Sequence, residues 1–127
     1  MAKNTAVVRI PTSIDGDFFR YYLEFLTPIH KLTSRETDVL AAFLKERYRL
    51  SKLIPDDAIV SQLMMSEDTK RILRDNCEMS SSHFQVVFSK LRKLGYIRNG
   101  AVDKRFVPDI DSSTDKFNLI FYFDLNV

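Results

Sequence analysis

The feature that most constrains the fold is the spacing of apolar residues, which is typical of a helix up to residue 94 and typical of a strand after residue 95. Apolar residues recur at spacings of three, four and seven on one face of residues 80–94, at Phe84, Val87, Phe88, Leu91 and Leu94. Ser80 can cap the start of this helix, and Gly95 stands where a left-handed residue is needed at its end. After Gly95 the apolar residues follow the two-residue period of a strand. The Asn99-Gly100 pair is typical of a tight hairpin. The sequence therefore predicts a capped helix that runs directly into a β-hairpin.

Further helices are predicted upstream, over residues 17–26, 33–49, 56–64 and 66–75. Thr33 and Glu36 form a capping box at the start of the second of these. Asp56 lies favourably at the positive end of the third, and Ser66 can cap the fourth, which ends in a short turn at 76–78. The apolar stretch over 17–26 predicts a short buried helix, with a strand as the alternative.

Both ends of the chain carry apolar segments that predict strands. Residues 6–10 form a short β-branched run, and the apolar residues of 117–125 alternate as Phe117, Leu119, Phe121, Phe123 and Leu125. A chain of 127 residues is enough for one compact domain and too short for two ordinary ones. We therefore expect a single mainly helical domain over 1–127 with a small antiparallel β-sheet.

The order of elements over residues 67–97 resembles the winged helix-turn-helix family. The residues that match the family's turn and its buried recognition-helix positions are Leu73, Cys77, Met79, Phe84, Phe88 and Leu91, and Leu94-Gly95-Tyr96-Ile97 resembles the common end of that helix. The resemblance covers roughly residues 33–107. It implies a winged helix-turn-helix with added N- and C-terminal strands, and DNA binding in transcription regulation, with helix 80–94 in the major groove.

A helix enters the major groove when one face anchors in a core and the opposite face carries short polar side chains. The outward positions of the predicted helix are Ser81, Ser82, Gln85, Val86 and Ser89. Glutamine pairs with adenine, serine reaches several base edges, and valine contacts the thymine methyl group. The residues expected to meet phosphates are Arg92 on the helix and Arg98, Lys104 and Arg105 on the wing.

Charge is distributed unevenly along the chain. The total of 19 basic and 17 acidic side chains gives only +2, which is weak for a protein that binds DNA by bulk charge alone. Residues 66–105 carry nine basic and five acidic side chains, a net +4, whereas residues 106–127 carry one and four, a net −3. The local excess favours DNA contact by 66–105. Alternatively, the helix dipole alone accounts for the cations near the end of this helix, because its negative end stabilises Lys90, Arg92 and Lys93.

A second interpretation rests on the apolar character of the same surface. The predicted outward face has no Arg or Lys in its first two turns, and Val86 is more apolar than a solvated face needs. The chain is also similar to short winged-helix proteins of tailed bacteriophages, including crAss-like phages, in its size, its turn at 99–100, Phe106-Val107-Pro108 and its aromatic C-terminal strand. That resemblance implies a virion or assembly component that binds other proteins of the particle. The family resemblance also suggests a homodimer whose interface is formed by the Phe-rich ends of the chain.

The sequence predicts neither an enzyme nor a metal or cofactor site. His30 and His83 have no carboxylate or cysteine beside them at metal-ligand spacing, and there is no Gly-rich phosphate loop. Cys77 is the only cysteine, which excludes an intrachain disulfide and favours a small core residue. No signal peptide or membrane-length apolar run is visible, so we expect no membrane partner and a location in the cytoplasm or inside a phage particle.

Overall fold

The computed structural model describes residues 6–111 and 113–126. Residues 1–5, 112 and 127, which the predicted single domain includes, lie outside the described residues. The elements in chain order are α1 (Phe18–Phe25), α2 (Thr27–His30), α3 (Ser34–Leu53), α4 (Asp57–Met64), α5 (Glu67–Asn76), α6 (Ser81–Lys93), β1 (Ile97–Arg98), β2 (Ala101–Val102) and a 3-10 turn (Lys104–Phe106). The prediction of a mainly helical chain with a small antiparallel sheet is therefore confirmed.

Each of the helices α3 to α6 begins at a side chain that accepts one of its free backbone N–H groups. Thr33 Oγ1 accepts from the Glu36 N–H at 3.3 Å, and Glu36 Oε1 accepts from the Thr33 N–H at 2.9 Å, which completes the predicted capping box. Asp56, Ser66 and Ser80 each accept a backbone N–H at the start of α4, α5 and α6. The helix starts are thus fixed by local chemistry that the sequence displays.

The core is built around α3, which packs against α1, α4, α5 and α6. Its buried stripe includes Val39, Leu40, Phe43 and Leu44 at the helical spacing of three and four. The ring of Phe43 lies 6.1 Å from that of Phe88 on α6, which joins the two helices at the centre of the core. The helix ends at Leu53, four residues beyond the predicted end at Arg49, and Leu50 in this extension is half-buried against the core.

The two N-terminal helices, which precede the region that resembles a winged helix, pack into the same hydrophobic core. His30 is buried, and its Nδ1 accepts from the Leu32 N–H at 2.9 Å. Because Nδ1 is an acceptor, Nε2 carries the proton and donates to the Leu23 carbonyl at 2.7 Å. The Tyr96 hydroxyl donates to the His30 carbonyl at 2.9 Å. These bonds connect α1 and α2 to the chain that leaves α6.

The predicted hairpin is present, and its tip rests on the body of the protein. Ile97 pairs with Val102 and Arg98 pairs with Ala101, while Asn99 and Gly100 have φ values of 53° and 78°. Two successive positive φ values are the mark of a type I′ turn, whose twist suits a two-residue hairpin. Gly100 is buried, and a Cβ placed on it would stand 2.0 Å from the Ser61 carbonyl oxygen of α4. The hairpin tip therefore lies directly on the α4 backbone.

The predicted strands over 6–10 and 117–125 are wrong for this chain. A strand needs a neighbouring strand for its backbone groups. The described residues form one sheet, the β1–β2 hairpin, and neither terminal segment joins it. The C-terminal segment is held instead by Phe117, whose ring packs edge-on against Phe18 at 5.2 Å and Tyr22 at 5.7 Å. The alternating pattern identified an apolar face that has no strand partner among the described residues.

Candidate nucleic-acid interface

A tight connection joins α5 to α6. Cys77 caps the end of α5, Glu78 adopts a left-handed φ of 52°, and Ser80 Oγ accepts from the His83 N–H at 3.2 Å to begin α6. Cys77 and Met79 on either side of Glu78 are buried, so the connection is anchored at both ends. A helix, a short turn and a second helix are thus held in a fixed arrangement.

The inner face of α6 is anchored by aromatic and aliphatic packing. Phe84, Val87, Phe88 and Leu91 are all buried, and the rings of Phe84 and Phe88 stack at 5.5 Å. Lys70 of α5 places its ammonium 5.6 Å from the centre of the Phe88 ring. This face fixes the rotation of α6 about its own axis, and thereby determines which side chains are presented to solvent.

The outer face of α6 carries the side chains that were predicted to face outward. Ser81, Ser82, Gln85, Val86 and Arg92 are exposed and Ser89 is half-buried. Helical spacing puts Ser82, Val86 and Ser89 on one line that continues four residues later to Lys93, which is also exposed. The sequence-based selection omitted Lys93, although the same spacing identifies it. Val86 is 69% exposed and lies in the middle of this line.

One cation of α6 has a structural partner. Lys90 Nζ lies 2.7 Å from Glu36 Oε2, and only 8% of the Glu36 side chain is exposed. Burial opposes ionisation of Glu36, yet the bonds from Lys90 and Thr33 outweigh it, so the pKa of this carboxyl lies below its ordinary value. Lys90 therefore connects α6 to the capped start of α3. No ion pair involves Arg92 or Lys93 among the residues that the structure describes.

The cations in the chain after α6 differ in whether they form an ion pair with an acidic side chain. Arg98 is exposed on β1, and its guanidinium lies 3.6 Å from the point where a Cβ on Gly95 would stand, at the end of α6. Arg105 is bound by Asp103 at 2.9 Å, and this bond holds the pKa of Asp103 below its usual range. Lys104 is exposed, with no ion pair in the described ranges. Because the hairpin tip rests on α4, the hairpin does not project as a free loop.

Cys77 is shielded from reagents. Its thiol is buried, lies 3.6 Å from the Asp38 carbonyl, and has a pKa raised to about 11 chiefly by burial. Because this pKa lies well above the ordinary value for cysteine, the fraction of thiolate near pH 8 is lower by about 100-fold. We expect native protein to react with Ellman's reagent at least 100-fold more slowly than protein in 8 M urea. Equal rates in the two solvents would contradict the burial of Cys77.

Among residues 6–111 and 113–126, no helix combines the length and apolar character needed to cross a membrane. No group of three or more His, Cys, Asp or Glu side chains in the same ranges is arranged to hold a metal ion. No protein-family model, curated protein or solved structure matches this chain.

Proposed function

We propose that this chain is a winged helix-turn-helix protein that binds double-stranded DNA through the outer face of α6, in transcription regulation. The observation that carries the proposal is the two-sided character of this helix. Its inner face is fixed by buried rings, and its outer face presents short side chains. Arg92 and Lys93 follow them at the end of the helix and form no ion pair among the described residues. A helix of 13 residues is about 20 Å long, enough to lie in a major groove about 12 Å wide.

The outer face supplies donors and acceptors for base edges. Gln85 can form two hydrogen bonds with adenine, and Ser81, Ser82 and Ser89 can donate to or accept from several bases. Val86 can contact a thymine methyl group, which accounts for an apolar residue on this face. These residues are expected to determine sequence preference.

The phosphate contacts are assigned to exposed cations at the end of α6 and in the segment that follows it. Arg92, Lys93, Arg98 and Lys104 are exposed and form no ion pair within the described part of the chain. Arg105 is a weaker candidate because its guanidinium is already bound by Asp103. Four phosphate contacts correspond to a slope of about −3.6 for log K against log salt.

The salt dependence of DNA binding tests this assignment. We expect affinity for a 20-base-pair duplex to fall about 150-fold between 50 and 200 mM NaCl, measured by fluorescence anisotropy. Removing two contacts in the double variant Arg92→Ala, Lys93→Ala is expected to halve the slope to about −1.8. The matched control is Lys52→Ala at the far end of α3, which removes an exposed cation elsewhere. Binding that does not weaken with salt would contradict the proposal.

The contribution of base contacts is tested separately. Gln85→Ala is expected to leave the salt slope unchanged and to reduce preference for a site selected from random duplexes by about tenfold, within the range of one bidentate base contact. An unchanged preference would show that α6 does not read bases through Gln85.

A second candidate function is supported by one observation, the 69% exposure of Val86. An apolar side chain at the centre of an exposed face also suits a protein interface. In that case the chain is a virion or assembly component of a phage. Absence of salt-dependent DNA retention at 50 mM NaCl, together with partner capture that is lost in Val86→Asp, would favour this function over DNA binding.

A further inference from the structure

The C-terminal segment 117–126 exposes a continuous apolar face. Phe117 is anchored on α1, and exposure then rises along the same face, from 37% at Leu119 and 46% at Phe121 to 83% at Phe123 and 85% at Leu125. Large exposed apolar patches on soluble proteins mark sites that contact a partner. The segment therefore presents an apolar face that this chain covers only at its beginning.

The backbone of this segment is also unpaired. Within the described residues, no backbone–backbone hydrogen bond joins 117–126 to another segment. Extended residues with free N–H and C=O groups form an edge that readily pairs with another strand. The alternating pattern and the free backbone together indicate a segment that can form a strand with a partner from outside the described residues.

The sequence of the segment is complementary to itself. When two copies run antiparallel with Ile120 opposite Ile120, Lys116 of each copy lies opposite Asp124 of the other. In the same register Phe117 lies opposite Phe123, and Leu119 lies opposite Phe121. Opposite charges and aromatic pairs across strands both stabilise a sheet. Lys116 and Asp124 are exposed in the single chain, so both are available for this pairing.

We propose that two copies of this chain associate by antiparallel pairing of residues 116–124, centred on Ile120. The apolar face of the paired strands would lie over the groove between α1 and the two terminal segments, a cavity of about 710 Å³ lined in part by Phe18, Tyr21 and Phe25. The second copy is the occupant because charge complementarity selects it and fixes the register. The association does not depend on DNA binding.

Charge reversal tests the register. Lys116→Glu and Asp124→Lys are each expected to raise the dimer Kd about tenfold in sedimentation equilibrium, because each variant places like charges opposite one another twice. An equimolar mixture of the two variants is expected to form heterodimers with wild-type affinity, since both pairs then carry opposite charges. A wild-type chain that stays monomeric at 100 μM, or variants that dimerise like wild type, would overturn the proposal.

A disulfide trap tests the centre of the pairing. Ile120→Cys places two thiols opposite each other, within the Cα separation that a disulfide spans, and is expected to cross-link on oxidation. Asn118→Cys is the matched control, because its two copies lie four residues out of register. The buried Cys77 is common to both variants. Cross-linking that is equal in the two variants, or greater in Asn118→Cys, would overturn the proposed register. Unchanged circular dichroism in all variants would confirm that each one folds.

Discussion

Replacement of Gly100 by alanine is expected to lower the free energy of unfolding by about 4 kcal/mol. Gly100 combines a φ of 78° with a close approach to α4, where an added Cβ would stand 2.0 Å from the Ser61 carbonyl oxygen and 2.8 Å from its carbon. The left-handed conformation costs an alanine about 1–2 kcal/mol, and overlap with a packed backbone adds about 1–3 kcal/mol. The hairpin must move away from α4, which also weakens the bond from Arg47 to the Gly100 carbonyl. Urea unfolding followed by circular dichroism measures the change.

Gly95→Ala is the matched control for this variant. Gly95 has a similar φ of 83°, but the nearest atom to an added Cβ is the flexible Arg98 guanidinium at an ordinary 3.6 Å. The conformational cost therefore acts alone, and we expect a loss of about 1 kcal/mol. Equal losses in the two variants would show that the hairpin tip does not press on α4.

Phe43→Ala is expected to cost about 4 kcal/mol of unfolding free energy. Phe43 lies in the middle of α3, is fully buried, and contacts the Phe88 ring that anchors α6. Truncation removes apolar burial and leaves a cavity between two helices that cannot collapse freely. The same urea titration measures the loss, and a fall in midpoint with an unchanged slope would show that stability alone has changed.

Phe25→Ala serves as the comparison for the loss of a phenylalanine ring. Phe25 ends α1, and 48% of it is exposed, so its removal leaves little cavity and is expected to cost about 1 kcal/mol or less. A loss at Phe25 as large as that at Phe43 would contradict the core described above.

The sequence was most informative where structure depends on neighbouring residues. The capping box of Thr33 and Glu36, the Ser80 cap and the Asn99-Gly100 turn are all made by residues within four positions of one another, and all are present. The inner face of α6 followed from its apolar spacing for the same reason, except at Leu94, which caps the helix and is 54% exposed. The outer face then followed by geometry, because a helix with one buried side must expose the other.

The sequence was least informative where structure depends on distant partners. The helix dipole was one of two roles that the sequence left open for Lys90, and nothing local indicates that Glu36, 54 positions earlier, would bind it. The strand prediction for 117–125 failed because alternation specifies an apolar face and leaves its partner undefined. The contact between the hairpin tip and Ser61 could not be predicted either. A positive φ in the turn is already enough to account for a glycine, so the glycine gives no sign of a close neighbour.

The support of the hairpin also bears on the order in which the chain folds. Arg47 of α3 donates to the Gly100 carbonyl at 3.1 Å, to Asp57 at 3.1 Å and to Ser61 Oγ at 2.8 Å. The first of these bonds closes a loop of 53 residues, whereas the other two close loops of 10 and 14. Shorter loops lose less chain entropy and close sooner. We therefore expect α3 and α4 to meet first, and the hairpin to dock in a late step of folding.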